Sequence, residues 1–345
     1  MPEFVLSMNF AHVPKSGGVI DFADNLSIAM KPMLGDRLTI CRPRRRKGRK
    51  AQVLARFLSE IALELRYWRT PAVALFPNYF IFPLPFSKLR RVVVVHDLQF
   101  RHYPKYTSVL KRKFLDICYG VVKRYADGVA FISAASQRDF LSFYGMPRLQ
   151  TVIYNPVCVD ATAQNETSVS GAPYVIANFH FYPHKNLQKL LECFRAIRAV
   201  WPELRLVLTG HRTPEFDLLL GPDPELQGID HRGFLPKNEV IRLVQGANFF
   251  MSMSLFEGFN ISAAEATLLG KPLVLSDIPV HRELFADVAL LVDPQSQSFA
   301  AKQIVEYVTR FEDRGWRHSA HVTPEYAATE YVRLMTGAFA RKTGE

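Results

Sequence analysis

Two glutamates in the C-terminal half of the chain have a spacing that can hold a sugar nucleotide. Glu257 lies in a glycine turn after the strand-like segment 247–254, and Glu265 lies about two helical turns further along. The helix N-terminus in the turn carries unpaired N–H groups and partial positive charge, which suit a phosphate. One carboxylate would lie near the phosphate, and the other could accept hydrogen bonds from two ribose hydroxyls. The residues expected at this donor-binding turn are Gly258, Phe259, Asn260 and Ile261.

The same pair resembles the paired-glutamate motif of retaining glycosyltransferases with the GT-B fold, most closely those of family 4, also called group 1. Segments 272–277 and 289–294 resemble the next strand and loop of that family. The resemblance implies an α/β fold of the GT-B type, with two Rossmann-like domains whose parallel sheets face each other across a cleft. A solvated pair of helix carboxylates is the plainer alternative.

The resemblance also assigns roles to residues outside the glutamate motif. Gly17 and Gly18 match the N-terminal glycine loop, which touches the donor phosphate or sugar. His96, at the end of an apolar strand, matches the histidine that faces the donor sugar, although a lone histidine there is more often structural. Lys185 matches the lysine that neutralises the leaving diphosphate, and Asn178 stands in the same donor-binding loop. The catalytic residues implied are therefore His96, Lys185 and Glu257.

The chain departs from the family where an arginine normally assists the lysine. Phe179 stands at the arginine position, and Asn178 replaces the preceding glycine. His184, Arg212 and Arg282 are the candidates for the second positive contact. His180 and His184 are four residues apart but lie in a loop with no third ligand in sight. We therefore expect no metal and no other cofactor, because a cationic side chain and a helix N-terminus can stabilise the diphosphate in place of a metal ion.

The length of 345 residues and the alternation of strands with helices predict two α/β domains. We expect an acceptor-side domain over 1–165 and a nucleotide-sugar-binding domain over 166–324, joined through the small, polar segment 161–172. By resemblance, a last helix over 325–341 crosses back onto the first domain.

The helix predicted over residues 52–68 has an amphipathic pattern. Apolar residues recur at i, i+3, i+4 spacing, so we expect them to face the core: Leu54, Phe57, Leu58, Ile61 and Leu65. On that reading Arg56, Glu60 and Glu64 face the solvent.

The charge is concentrated in the N-terminal half. Residues 1–160 carry 25 Lys and Arg against 11 Asp and Glu, a net of +14, whereas the remainder has a net of −3. Residues 42–50 contain seven basic residues in nine, which is typical of a solvated loop, a nucleic-acid contact or an anionic membrane surface. The membrane surface is favoured over nucleic acid, because the motifs imply a lipid-linked acceptor. The apolar segment 80–86 is the alternative anchor.

Together these features predict a metal-independent hexosyltransferase that retains anomeric configuration. GDP-mannose is the first choice of donor, and a lipid-linked or oligosaccharide acceptor in surface polysaccharide or lipopolysaccharide synthesis is expected. Four scattered cysteines and the lack of a signal peptide or long apolar segment favour a cytoplasmic protein, peripheral on the inner face of the cytoplasmic membrane. The alternatives are a nucleotide-sugar-binding assembly partner without transferase activity and, less favoured, a basic nucleic-acid-binding protein.

Overall fold

A computed structural model describes the backbone of most of the chain. The described residues are 2–8, 18–42, 49–159, 171–178, 182–211, 217–219 and 228–340. The chain divides into two compact units, one of Met1–Pro156 with Ala320–Glu345 and one of Val157–Ser319. The domain boundary expected at residue 165 falls within 160–170, outside the described residues.

The first unit is built on a parallel sheet, which has six strands within the described residues, in the order β2-β1-β3-β4-β5-β6. The central strand β4 ends in four consecutive valines and is buried along almost its whole length, as expected of a parallel strand covered on both faces. The strands are β1 Glu3–Ser7, β2 Leu38–Cys41, β3 Ala72–Phe76, β4 Leu89–Val95, β5 Gly128–Phe131 and β6 Gln150–Val152.

Helices cover the sheet of the first unit. The last helix packs on β3, β4, β5 and the first helix, so the end of the chain belongs to this unit. Leu63 of the second helix and Tyr67 just after it share a core cluster with Leu115 and Tyr119 of the fourth helix. The helices are α1 Gly18–Leu34, α2 Arg49–Arg66, α3 Gln99–His102, α4 Val109–Tyr125, α5 Ala134–Tyr144 and, after the second unit, α11 Pro324–Ala340.

The helix predicted over residues 52–68 is α2, but its leucines were wrongly assigned to the core, whereas Phe57 and Ile61 are half-buried. Leu54, Leu58 and Leu65 are 59%, 56% and 56% exposed, whereas Glu60 and Glu64 are each 1% exposed. The helix therefore turns its carboxylates toward the sheet and its leucine row toward the solvent.

Buried partners explain why α2 adopts this orientation. Glu64 accepts two hydrogen bonds of 2.6 Å from the guanidinium of Arg91, a buried residue of β4. Glu60 accepts a 3.3 Å hydrogen bond from Ser7 at the end of β1. Because a buried arginine without a carboxylate would be very costly, Arg91 fixes which face of α2 packs inward.

The second unit repeats the architecture. Its parallel sheet has six strands in the described part of the chain, in the order β12-β11-β10-β7-β8-β9. The carboxyl ends of its strands lie along one edge, where open α/β sheets bind ligands. The strands are β7 Tyr174–Asn178, β8 Arg205–Thr209, β9 Ile229–His231, β10 Phe249–Ser252, β11 Leu273–Ser276 and β12 Ala289–Val292.

The helices of the second unit bury apolar faces against this sheet. The helix that follows β7 contributes Leu190, Phe194 and Ile197 to a core cluster that also holds Phe249 of β10 and Val274 of β11. The helices are α6 Leu187–Arg198, α7 Lys237–Gly246, α8 Ile261–Leu268, α9 Pro279–Phe285 and α10 Ala301–Thr309.

Candidate donor-binding site

Lys185 is positioned by a sharp turn between β7 and α6. Residues Pro183–Lys185 form a short 3₁₀ turn, and Asn186 follows in the left-handed conformation with φ 56° and ψ 52°. The carbonyl oxygen of His184 accepts a 2.7 Å hydrogen bond from the amide of Leu255, which ties this turn to the loop after β10. The lysine is thereby held next to the glutamate motif.

The two predicted catalytic residues of this unit contact each other. The ammonium of Lys185 lies 2.6 Å from Oε1 of Glu257, and Ser254 Oγ donates to the same oxygen at 2.7 Å. The side chains of Lys185 and Glu257 are only 20% and 10% exposed. Burial raises the pKa of Glu257, but the charge of Lys185 and the two hydrogen bonds outweigh it, so this pKa lies below its usual value. Glu257 is therefore a carboxylate at neutral pH and forms an ion pair with Lys185.

Asn260 joins the glutamate turn to the helix that carries Glu265. It has a positive φ of 68°, and its Oδ1 accepts from the amide of Ala263 at 3.2 Å, so it is the N-cap of α8. Its Nδ2 donates to Nε2 of the fully buried His281 at 2.9 Å, and Nδ1 of His281 lies 2.7 Å from the carbonyl oxygen of Ser276. Burial lowers the pKa of His281 to about 4, so a neutral imidazole holds the helix N-terminus in place.

Glu265 lies in the second turn of α8 and is 2% exposed. Its Oε1 forms a close ion pair with Lys237, the first residue of α7, whose side chain is 54% exposed. Sequence reasoning missed Lys237. One signal could have indicated it: Lys237 begins the helix after β9, at the edge of the sheet where ligands bind. A ribose that reaches Glu265 would share this carboxylate with Lys237 or displace it.

The candidates for a second cation differ in their surroundings. Burial, reinforced by the charge of Lys185, lowers the pKa of His184 to about 4, so it is neutral at pH 7. Arg282 forms a bidentate pair with Asp277 on the surface. Arg212 lies outside the described residues, as do Phe179 and His180.

In the first unit, His96 directly follows β4 and is partly buried. Its Nε2 lies 2.9 Å from the carbonyl oxygen of Pro77, and its ring meets the ring of Phe22 in α1 edge to face at 5.3 Å. Gly18 begins α1, so the start of that helix and the histidine come together through Phe22. Gly17 lies outside the described residues, and of Asn178 the structure describes only the backbone, at the end of β7.

Over the described ranges, no three or more His, Cys, Asp or Glu side chains are grouped so that they could hold a metal ion. None of the helices described is long and apolar enough to cross a membrane. Residues 43–48 of the basic segment lie outside the described part of the chain.

The site geometry of the second unit suits a diphosphate with a sugar at each end. An ammonium and the helix N-terminus can bind anionic oxygens, whereas the carboxylates can only accept hydrogen bonds, which sugar hydroxyls donate. Lys185 and Glu257 are in contact, Glu265 follows on α8 of the same unit, and His96 belongs to the other unit.

Comparison with known proteins agrees with this geometry. Residues 160–318 match the family model described as "Glycosyl transferases group 1". Among solved structures, Alr3699/HepE of Anabaena in complex with UDP and glucose superposes with a TM-score of 0.64 over 100% of this chain and 99% of that chain, at 16% identity. This likeness shows that the fold is GT-B.

Two curated relatives have been assigned functions. The chain is 24% identical over 263 residues to the O-antigen chain mannosyltransferase B of Escherichia coli, covering 71% of this chain and 66% of that protein. It is 28% identical over 217 residues to a GDP-mannose:cellobiosyl-diphosphopolyprenol alpha-mannosyltransferase of Xanthomonas campestris, covering 59% and 54%. The matches thus span less than two thirds of the length of either relative. The paired glutamates, the family match over residues 160–318 and the fold agree, and together they support a group 1 glycosyltransferase.

Proposed function

We propose that the protein is a retaining glycosyltransferase that moves mannose from GDP-mannose to a lipid-linked or oligosaccharide acceptor in cell-surface polysaccharide or lipopolysaccharide synthesis. The observation that carries the proposal is the 2.6 Å ion pair of Lys185 with Glu257, in the loop that leads into the N-terminus of α8. The choice of mannose is supported by the two relatives, whose names give a mannosyltransferase of O-antigen and one that uses GDP-mannose and a diphosphopolyprenol-linked acceptor.

In this proposal, the donor diphosphate binds between the Lys185 ammonium and the N-terminal amides of α8. As the bond between the sugar and the diphosphate breaks, negative charge grows on the diphosphate oxygens, and these donors stabilise it. Glu257 accepts hydrogen bonds from hydroxyls of the transferred sugar, and Glu265 accepts from the ribose hydroxyls. The side chain of Lys237, half in solvent, moves off Glu265 as the ribose enters.

His96 is the proposed contact to the donor sugar from the first unit. Burial lowers its pKa, so it is neutral at pH 7 and can donate or accept a hydrogen bond without adding charge. Gly17 and Gly18 complete the proposed donor contacts of that unit. No metal ion is part of the proposal, since the lysine and the helix N-terminus supply the positive potential. Full transfer in excess EDTA is the expected result.

We also propose that the protein works at the inner face of the cytoplasmic membrane. A lipid-linked acceptor resides there, and the net charge of +14 over residues 1–160 favours an anionic surface.

A transfer assay tests the proposed function. Purified protein is incubated with GDP-mannose and a synthetic diphosphopolyprenol-linked oligosaccharide, and the product anomer is read by NMR. The α-mannoside, with release of GDP, is the expected product. Binding of GDP-mannose without transfer to any acceptor tried would instead favour an assembly partner that only binds the nucleotide sugar.

A further inference from the structure

The proposed sugar contact, His96, is held by a backbone carbonyl that follows the neighbouring strand. Its Nε2 lies 2.9 Å from the carbonyl oxygen of Pro77, the residue directly after β3. A carbonyl oxygen can only accept a hydrogen bond, so the single proton of the neutral imidazole is on Nε2, and Nδ1 can only accept. The position of the Pro77 carbonyl therefore decides both the tautomer of His96 and the direction of its ring.

The turn that presents this carbonyl is fastened to α2 by an arginine side chain. The Arg56 guanidinium donates to Oδ1 of Asn78 at 2.6 Å, and the same oxygen accepts from the amide of Phe80 at 2.9 Å. The guanidinium also lies over the ring of Phe80, 4.3 Å from its centroid. Asn78 and Phe80 are 6% and 3% exposed, so the turn over residues 77–80 is packed against the helix.

The structure turns Arg56 inward, although the helical pattern predicted it in solvent. The side chain is half-buried, and burial lowers its pKa. A planar guanidinium that is both stacked on an aromatic ring and hydrogen-bonded keeps a fixed orientation, which a flexible lysine ammonium would not. Arg56 therefore fixes the place of the turn relative to α2.

We propose that Arg56 and Asn78 are positioning residues for the transfer reaction, because they hold the Pro77 carbonyl where it fixes the tautomer and orientation of His96. With the proton on Nδ1 instead, the ring would present a donor where it now presents an acceptor. A displacement of about 1 Å in a group that contacts the substrate can cost about a hundredfold in rate. This inference rests on the proposed function for the part that His96 plays in transfer.

The first test reads the tautomer directly, by proton–nitrogen NMR of the full chain with isotope-labelled histidine, without donor or acceptor. The chain has ten histidines, and the resonances that disappear in His96→Ala identify those of His96. Wild type at pH 7 should show the pattern of a ring protonated at Nε2. Asn78→Ala and Arg56→Met should shift this pattern toward a mixture of tautomers. Asn78→Asp, which keeps the accepting Oδ1, should preserve it.

Transfer kinetics then show whether this orientation matters for the reaction. In Asn78→Ala and Arg56→Met, kcat should fall by about tenfold to a hundredfold, while the KM for GDP-mannose and the affinity for GDP stay near wild type. Asn78→Asp should retain most of the kcat. The matched control Arg333→Met breaks an exposed pair with Glu330 on α11 of the same unit and should leave kcat and the His96 resonances unchanged.

Two results would overturn the proposal. One is a set of wild-type His96 resonances in either Asn78→Ala or Arg56→Met, provided that the variant melts as a folded protein; the other is an altered tautomer with wild-type kcat. If Asn78→Ala does not fold, Arg56→Met carries the test, since it leaves the bond between Asn78 and the Phe80 amide in place. A wild type that transfers no sugar would refute the proposed function, whereas the NMR result would still decide whether the two residues orient His96.

Discussion

Replacing Lys185 with methionine separates the part that this lysine plays in transfer from its part in folding. The structure pairs it with Glu257 at 2.6 Å, with side chains 20% and 10% exposed. Removal of one partner from a buried pair typically costs about 3–5 kcal/mol, and the partial exposure here places the expected loss near 3 kcal/mol. For a unit of this size, that corresponds to a fall in Tm of about 6–12 °C. The kcat should fall by about a hundredfold to a thousandfold, the scale of a lost transition-state donor.

The stability loss should depend on pH in a defined direction. Because the pKa of Glu257 is depressed in the folded protein, its pairing stabilises the fold above the ordinary pKa of 4.5 and is lost as pH falls through the folded value. The cost of Lys185→Met should therefore be full at pH 7 and shrink below about pH 4. Urea unfolding of Lys185→Met and of the wild type, from pH 7 to below pH 4, measures this change in the stability cost.

A double variant and a surface control complete the experiment. Adding Glu257→Gln to Lys185→Met removes the unpaired charge, while glutamine can still accept the hydrogen bond from Ser254. The double variant should therefore regain about 2 kcal/mol of the free energy of unfolding but no transfer activity. Arg310→Met breaks an exposed pair with Glu306 and should cost under about 0.5 kcal/mol. A single variant no less stable than Arg310→Met, or a double variant no more stable than the single, would refute the reasoning.

Three further predictions concern other residues of the proposed site. Glu265→Ala should weaken nucleotide binding by roughly 1.5–3 kcal/mol, with little change in Tm because Lys237 can be solvated; unchanged affinity by calorimetry would remove the ribose assignment. His96→Ala should lower transfer while GDP alone binds as in wild type, and a tenfold loss of GDP affinity would contradict the sugar contact. His281 has a folded pKa of about 4 against an ordinary 6.5, so its protonation destabilises the fold as pH falls between these values. His281→Gln should flatten the pH dependence of unfolding there by about 1.4 kcal/mol per pH unit, and an unchanged slope in urea titrations would count against a buried neutral imidazole.

Much of the architecture could be read from the sequence because parallel strands and glycine turns leave local signals. The strand-like segment 247–254 contains β10, the helix predicted over residues 52–68 is α2, and the GT-B fold was confirmed. The orientation of α2 could not be read, since its leucine row and its charged row have the same helical period. The contacts of Glu64 with Arg91 and of Glu60 with Ser7, both between residues distant in the chain, decide which row is buried.

The site was less readable than the fold for a similar reason. The spacing of Glu257 and Glu265 is local, and the turn and helix between them formed as expected. Lys237 and His281 reach the site from other loops, so their roles depend on tertiary contacts that periodicity does not encode. The roles assigned to His96, Lys185 and the donor-binding residues stay predictions.

The most direct test of the central claim is transfer of radiolabelled mannose from GDP-mannose to a lipid-linked acceptor by purified wild type and by Glu257→Gln. Thermal shifts with GDP, UDP, dTDP and ADP accompany it, since a ligand at about 100 times its Kd stabilises by about 2.7 kcal/mol. We predict stabilisation by GDP, label in the lipid fraction with wild type, and near-complete loss of transfer in a variant that melts as a folded protein. Absence of stabilisation by all four nucleotides, or equal transfer by both proteins, would contradict the account.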